Sequence, residues 1–116
     1  MKADNLLNNL FNDIPNDIPQ EIFQDILKTD NLRIERILSP GQGANGQHSP
    51  ENHWYDQTEN EWVLVLQGQA KLRFEKDDEL VELSPGMFVD IKAGVRHKVE
   101  WTSPDQVTIW LAIFYS

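Results

Sequence analysis

From Leu32 to Tyr115, short apolar segments alternate with segments rich in turn-forming residues. Short apolar runs bounded by Gly, Pro, Asn and Asp at regular spacing are typical of strands in a β-sandwich or barrel. The pattern therefore predicts an all-β domain over residues 31–116. The predicted strands are LRIERIL, WVLVLQ, AKLRFE, ELVEL, MFVDI, HKVEW and VTIWLAIFY.

Three local patterns refine this prediction. In LRIERIL the apolar positions change parity, which predicts a face switch or bulge near Arg36. AKLRFE and ELVEL flank the residues Lys76 to Glu79, and this arrangement predicts a hairpin. The segment PGQGANGQHSPEN has no periodicity and predicts a long loop. Its glycines would allow residues 41–53 to close over a pocket.

Residues 1–30 have a different pattern. Their apolar residues recur at helical spacing, first at Leu6, Leu7, Leu10 and Phe11, and again after Pro19 in PQEIFQDILKT. Pro19 suits a first helical turn, and Glu21 adds a favourable negative charge there. We therefore predict a short N-terminal helical arm over residues 1–30, laid against the β domain or against a second copy of the chain. A free amphipathic arm is the alternative.

Charge and composition narrow the classes of partner. The formal net charge is −9, from 19 acidic and 10 basic residues. A nucleic-acid or anionic-membrane partner needs a basic face, so we expect neither. The chain has no Cys, which excludes disulfides, thiolate metal sites and Cys nucleophiles, and suits a cytoplasmic protein. No segment has the length of apolar sequence that a membrane span needs, and the N-terminus shows no signal peptide.

Two segments carry the spacing of a known family. Six residues separate Glu61 from Gly68, and SPGMFVDIKAGVRH places Gly86, Gly94 and His97 in register. These spacings resemble the cupin superfamily, whose first motif is Gly-x5-His-x-His-x(3,4)-Glu-x6-Gly and whose second is Gly-x5-Pro-x-Gly-x2-His-x3-Asn. The resemblance covers roughly residues 32–115. It implies a single-domain, jelly-roll-like antiparallel β-barrel.

The resemblance also implies a set of metal ligands, and this chain keeps only part of it. Glu61 takes the position of the motif Glu, and His97 takes that of the second-motif His. The two His of the first motif are absent. With a four-residue spacing before Glu61, their positions hold Trp54 and Asp56. With a three-residue spacing, they hold Tyr55 and Gln57. Lys92 and Trp101 replace the motif Pro and Asn.

The retained residues still permit a metal site. If Glu61 and His97 both point inward, a carboxylate and an imidazole meet among apolar groups, and Asp56 or Gln57 adds an oxygen ligand. One nitrogen and two or three oxygens suit a divalent metal such as Zn, Fe, Mn or Ni. The alternative is a buried Glu61–His97 pair without metal. His53 would reach such a site only if its loop bends back, and His48 is expected to be solvated.

Several other residues have two interpretations. Trp54 and Tyr55 are expected to pack at the barrel mouth, where aromatic rings also contact small ligands. Asp56 is either a ligand or a solvated turn residue. Arg96 and Lys98 are expected on a solvated face. The last strand is apolar on both faces, which favours burial between the core and a partner, so we predict a homodimer.

Three functional hypotheses follow. The first is a barrel that binds a divalent metal, a small organic ligand or both, with weak dioxygenase or isomerase activity. The second is a metal-free, non-enzymatic barrel that binds an organic ligand. The third is a purely structural dimer. The loss of two motif His weakens the enzyme hypothesis.

Overall fold

The computed structural model describes residues 7–41 and 54–116, and these residues form eight β-strands. The strands are β1 (Ile22–Lys28), β2 (Leu32–Ser39), β3 (Asn60–Gln67), β4 (Ala70–Phe74), β5 (Glu79–Leu83), β6 (Phe88–Ile91), β7 (His97–Thr102) and β8 (Thr108–Tyr115). A single 3₁₀ turn, Lys76–Asp78, joins β4 to β5. The all-β prediction and the predicted β4–β5 hairpin are confirmed.

The strands form two antiparallel sheets. One has five strands in the order β1-β2-β8-β3-β6, and the other has three in the order β5-β4-β7. Alternate residues of a strand face opposite sides of its sheet, and β3 shows this alternation clearly, with Glu61, Val63 and Val65 buried. The main core includes side chains from both sheets: Ile37, Val63, Val65, Ala70, Leu72, Leu83, Ile91, Trp110, Ala112 and Phe114.

A second apolar cluster lies on the outer face of the five-stranded sheet. Leu38 and Ile109 are neighbours in the β2–β8 pairing and point away from Ile37 and Trp110. They pack with Ile18, and the residues before β1 thereby cover this face. Both faces of the sheet are therefore apolar near β2 and β8.

The predicted N-terminal helix is wrong in the described residues. Residues 22–28 form β1, an edge strand paired with β2, and residues 7–13 contain only a turn. Backbone pairing with β2 and burial of Ile22 outweigh the helical spacing of the apolar residues. Phe23, Ile26 and Leu27 stay exposed to solvent to about half of their surface.

The predicted irregularity at Arg36 is also wrong. β2 pairs with β8 without interruption over all eight residues, and the irregularity lies in β1, between Asp25 and Leu27. The apolar residues of β2 change parity because both faces of the strand are covered. Among the described residues, no helix has the length and apolar character needed to cross a membrane. The predicted homodimer stays a prediction, since one chain is described.

Candidate functional site

A cavity of ≈ 70 Å³ lies between the two sheets, at one end of the core. Most of its wall is apolar, and Phe23 from the edge strand β1 is one of the residues at its border. Polar side chains enter it from β3, from β7, and from the segments just before β1 and β3. The lining residues are Glu21, Phe23, Ile37, Tyr55, Gln57, Glu61, Val63, Leu72, Ile91, His97, Val99, Trp110 and Phe114.

Glu61 and His97 meet inside this cavity. Glu61 is near the start of β3 in one sheet, and His97 begins β7 in the other sheet. His97 Nε2 lies 3.4 Å from Glu61 Oε1, and the two side chains are only 5% and 10% exposed. The two polar groups predicted to meet inside the barrel are therefore adjacent in the structure.

The other nitrogen of the His97 ring fixes how this pair can interact. His97 Nδ1 lies 2.9 Å from the carbonyl oxygen of Val95. A carbonyl can only accept a hydrogen bond, so Nδ1 must carry the proton. In a neutral ring, Nε2 then directs a lone pair at the Glu61 carboxylate. The contact is favourable only if Nε2 is also protonated, or if a polar hydrogen or a cation lies between the two groups.

Backbone and ring contacts hold His97 in place. Tyr55 and His97 form an isolated antiparallel bridge, with the Tyr55 N–H donating to His97 O over 2.7 Å and the His97 N–H donating to Tyr55 O over 3.2 Å. Their rings lie 5.7 Å apart between centroids, and the ring of Phe74 is 6.1 Å from the imidazole. The segment before β3 thus supports His97 directly.

Gln57 completes this side of the cavity. Its side-chain Nε2 donates to Glu61 Oε1 over 2.9 Å, so one carboxylate oxygen faces both Gln57 and His97. The Gly94 N–H donates to the carbonyl of Gln57 over 2.9 Å. Gly94 has a φ of +80°, a conformation that favours glycine. The turn before β7 therefore positions Gln57 as well as His97.

Glu21 is a site residue that sequence reasoning missed. It directly precedes β1, and its carboxylate accepts hydrogen bonds from Ser39 Oγ over 2.8 Å and from the Tyr55 hydroxyl over 3.3 Å. Ser39 in turn accepts a hydrogen bond from Trp110 Nε1 over 2.9 Å. The expected helix placed Glu21 in its first turn, as a favourable negative charge. The alternation of Glu21 and Phe23, interpreted as a strand, would have placed both on one face.

Burial changes the pKa of the Glu21 carboxyl group. Desolvation raises the pKa of Glu21 to about 7, against the opposing effect of the hydrogen bonds from Ser39 and Tyr55. The negative charge of Glu61 raises it further. Burial, followed by the charge of Glu21, also raises the pKa of the Tyr55 hydroxyl above its usual range. The cavity thus contains a carboxyl group that changes protonation state near neutral pH.

The structure separates the two alternatives for the first-motif positions. Tyr55 and Gln57 line the cavity, whereas Asp56 is exposed and Trp54 packs its ring under Lys98, with Nζ 4.7 Å from the ring centroid. Successive residues of an extended segment point to opposite sides, so only one of the two pairs can face inward. His48, His53 and nearly all of the predicted lid over residues 41–53 lie outside the described residues.

The predicted divalent metal finds only part of a ligand set here. Within residues 7–41 and 54–116, no three His, Asp or Glu side chains are grouped so that they could hold a metal ion. Glu61 and His97 supply two donors, and Gln57 turns its amide N–H toward Glu61. Metal sites of these types normally have three or four protein ligands. The described residues therefore do not fit a complete metal centre, and the metal stays a prediction.

Comparisons with known proteins agree with this fold. The model of the cupin domain family matches residues 40–114. A crystal structure from Ralstonia eutropha JMP134, named as a proposed mannose-6-phosphate isomerase, has 39% sequence identity and a TM-score of 0.85. The match covers 95% of this chain and 97% of that one. No curated protein matches the chain at a significant level.

More distant structures show the fold alone. A cupin superfamily protein from Desulfitobacterium hafniense DCB-2 has 18% identity and a TM-score of 0.68, over 88% of this chain and 83% of that one. The iron(II) form of HppE has 14% identity and a TM-score of 0.68, over 88% of this chain and 53% of that one. At these identities the matches support the architecture and no particular chemistry.

Proposed function

Because this chain belongs to the cupin family, we propose that it binds a small organic molecule between its sheets, beside the Glu61–His97 pair. The observation that carries this proposal is the convergence of two polar groups on one apolar cavity. Glu61, His97 and Gln57 form the first group, and Glu21 and Tyr55 form the second. A mostly apolar pocket with a few convergent polar groups is the usual form of a ligand site.

The energetics favour a functional role for these groups. A carboxylate removed from water costs free energy unless hydrogen bonds or charges compensate it. Here two carboxyl groups, Glu21 and Glu61, border the same cavity, and burial together with the charge of Glu61 raises the pKa of Glu21. Acidic groups with a pKa raised in this way, like Glu21, concentrate at functional sites. A fold that needed only stability would gain more from apolar residues at these positions.

Catalysis is a narrower proposal. The relative from R. eutropha is named for an isomerase, and aldose–ketose isomerisation requires groups that remove and return a proton. Glu21, Glu61 and His97 are titratable groups in the cavity, and this makes sugar isomerisation the first reaction to assay. The dioxygenase alternative has less support, because none of the three structures compared above is named for a dioxygenase.

The indole N–H of Trp110 provides a direct test of binding. It donates to Ser39, which donates to Glu21, so its nuclear magnetic resonance signal reports on the cavity. The other three Trp serve as internal controls, because they pack elsewhere: Trp54 under Lys98, Trp62 against Phe88 and Trp101 under Lys71. In a screen of small polar compounds, we expect a ligand to shift the Trp110 signal in a saturable manner.

A cavity-filling variant makes this test specific. Val99 lines the cavity and is half-buried, and Val99→Phe adds a ring where the ligand would bind. The variant should keep a dispersed spectrum and lose the response at Trp110. A response that persists unchanged in a folded Val99→Phe protein would contradict binding in this cavity. If no compound shifts Trp110 at all, the third hypothesis, a structural dimer, would be favoured.

Metal binding is the second candidate function. The observation in its favour is the orientation of His97, whose Nδ1 is occupied by Val95 O while Nε2 faces a carboxylate. Such an imidazole is ready to bind a cation together with Glu61. A bound Zn, Fe, Mn or Ni ion would act as a Lewis acid toward the ligand. Glu61 and His97 would hold it, with Gln57 as the third donor if its amide oxygen turns inward.

Elemental analysis separates the two candidates. The protein should be purified without a His tag or chelator and compared with His97→Ala. Near-stoichiometric metal that is lost in the variant would support the second candidate. A metal content that stays far below stoichiometric after incubation with each ion would contradict it. The organic ligand proposed first does not depend on this result.

A further inference from the structure

On the basis of the proposed ligand site, we infer that the cavity binds a small hydrogen-bond donor without negative charge, such as a polyol or an amino alcohol, and that Glu21 takes part in its recognition. Phosphorylated and carboxylated molecules would be rejected. This inference concerns the chemical class of the ligand and rests on the charges, size and hydrogen bonds of the cavity.

The cavity is bordered by two carboxyl groups, and the one on Glu21 becomes negatively charged as the pH rises above about 7. Glu21 and Glu61 are both lining residues, and no Lys or Arg is among the lining residues in the described part of the chain. Arg33 stacks on the ring of Phe114, a lining residue, at 4.1 Å from its centroid. Its guanidinium is bound, however, to Glu35 and Glu59 at 2.9 Å each. Among residues 7–41 and 54–116, an anionic ligand would thus meet two carboxyl groups and no Lys or Arg that is available to pair with it.

His97 does not supply the missing positive charge. Its Nε2 lies 3.4 Å from Glu61, so a protonated ring would already be paired with that carboxylate. An anion that competed for the imidazole would leave the buried Glu61 carboxylate with Gln57 as its remaining side-chain partner. The pair therefore presents no net positive charge to a ligand.

The size of the cavity points to a small molecule. A volume of ≈ 70 Å³ compares with roughly 300–1,000 Å³ for sites that enclose drug-sized ligands. Room for one water molecule corresponds to roughly 10–15 Å³ on the same measure, so the space suits a ligand of few non-hydrogen atoms. The phosphorylated hexose in the name of the R. eutropha relative is both larger and doubly charged.

Glu21 brings a specific acceptor to this space. Ser39 and Tyr55 hold its two oxygens in place, and Trp110 holds Ser39. Each carboxylate oxygen can accept more than one hydrogen bond, so a ligand hydroxyl or ammonium can add to those already made. Glu21 lies outside the family match at residues 40–114. The N-terminal segment thereby contributes a recognition residue that the family motifs do not include.

Three matched three-carbon probes test this inference through the Trp110 indole signal. The probes are glycerol, the amino alcohol 2-aminopropane-1,3-diol and glycerol 3-phosphate. We expect the first two to give saturable shifts and the phosphate to bind at least about tenfold more weakly, because like charges oppose it. Glu21→Gln should narrow the difference between the amino alcohol and the phosphate severalfold. Glu82→Gln, which changes an exposed carboxylate of β5, should leave it unchanged.

The outcomes separate this inference from the proposed function. Binding of glycerol 3-phosphate as tightly as glycerol would overturn the ligand class and leave the proposed binding site intact. Equal selectivity in Glu21→Gln and in the parent protein would overturn the role of Glu21. Failure of all three probes to shift Trp110 would also overturn the ligand class. A positive result in the broader compound screen would then still support the binding site.

Discussion

His97 Nε2 lies 3.4 Å from Glu61 Oε1, and the two residues belong to opposite sheets. The pair therefore joins the sheets through a polar contact in an apolar environment. Removing His97 leaves the buried Glu61 carboxylate with Gln57 as its remaining side-chain partner, and removing Glu61 leaves His97 Nε2 without its carboxylate, whereas removing both takes away the buried pair. The effects of replacing Glu61 and His97 on the free energy of unfolding are therefore expected to be non-additive.

A double-mutant cycle measures this dependence. Glu61→Leu and His97→Leu should each lower the free energy of unfolding by about 3 kcal/mol, since each takes from a buried polar group its partner in the opposite sheet. The double variant should cost no more than either single change. Denaturant unfolding of the four proteins gives these values. Strict additivity of the two single effects would show that the side chains do not interact.

Glu21 predicts a dependence of stability on pH. Its pKa is raised from 4.5 to about 7 in the folded chain, so the folded chain keeps this proton after the unfolded chain has lost it. The free energy of unfolding should therefore fall as the pH rises from 4.5 to 7, by up to about 3 kcal/mol from this group. Below pH 4.5 this contribution is fully present, and above pH 7 it is lost.

Comparison with Glu21→Gln isolates that group from the other acidic residues. The two proteins should be similarly stable near pH 5, where Glu21 is protonated in the folded chain. As the pH rises to 8, the parent should lose stability that the variant keeps, so the variant should then have the larger free energy of unfolding. Parallel stability curves for the two proteins would show that Glu21 is ionised normally in the folded state.

Arg36 is expected to hold the N-terminal segment on the outer face of the sheet. Its Nη1 donates to the carbonyls of Leu10 and Asn12 over 2.9 and 2.6 Å, and its Nη2 donates to that of Asp13 over 3.2 Å. Arg36→Met should lower the free energy of unfolding by about 2–3 kcal/mol, because it removes several charged hydrogen bonds. Amide hydrogen exchange should also accelerate in residues 7–18.

Arg96→Met is the matched control for this prediction. Arg96 forms an exposed ion pair with Glu75 at 2.9 Å, and such pairs contribute about 1 kcal/mol or less. If Arg36→Met and Arg96→Met have equal effects on stability, the contacts of Arg36 with the N-terminal segment are not important for the fold.

Gly68 combines two constraints that a larger residue cannot meet. Its φ is +85°, and a Cβ built on it would clash with Thr108 Oγ1 and lie 2.9 Å from Thr108 Cα. Gly68→Ala should therefore cost about 3 kcal/mol or more, because backbone strain and the clash add together. Gly94→Ala has a similar φ of +80° but open space around the new Cβ, so it should cost about 1 kcal/mol. Thermal or denaturant unfolding compares the two, and equal costs would contradict the role of the Thr108 contact.

The sequence predicted the β-strands well where the apolar and polar positions alternate. The strand with Glu61, Val63 and Val65 and the hairpin around Lys76–Asp78 are clear examples. It failed before residue 30, because the spacing of Ile22, Phe23, Ile26 and Leu27 also fits a helical face. Only the pairing of β1 with β2, a contact distant in sequence, decides in favour of a strand.

The site was predictable to a similar extent. The motif spacing identified Glu61 and His97, which the structure brings together. The motif spacing did not show whether Tyr55 and Gln57 or Trp54 and Asp56 take the positions of the two motif His, since the family allows either spacing before the Glu. The role of Glu21 could not be predicted from the sequence, because its place in the cavity depends on β1 being a strand and on the hydroxyl of Ser39.

One measurement tests the proposed ligand site most directly. A small polar compound that binds in the screen is titrated into the protein before and after treatment with EDTA, and the shift of the Trp110 indole signal is recorded. We expect the same saturable shift in both samples, because Glu21, Tyr55, Gln57, Glu61 and His97 are themselves proposed to form the site. Loss of the shift after EDTA, restored by a divalent ion, would contradict this account and identify a metal centre at Glu61 and His97.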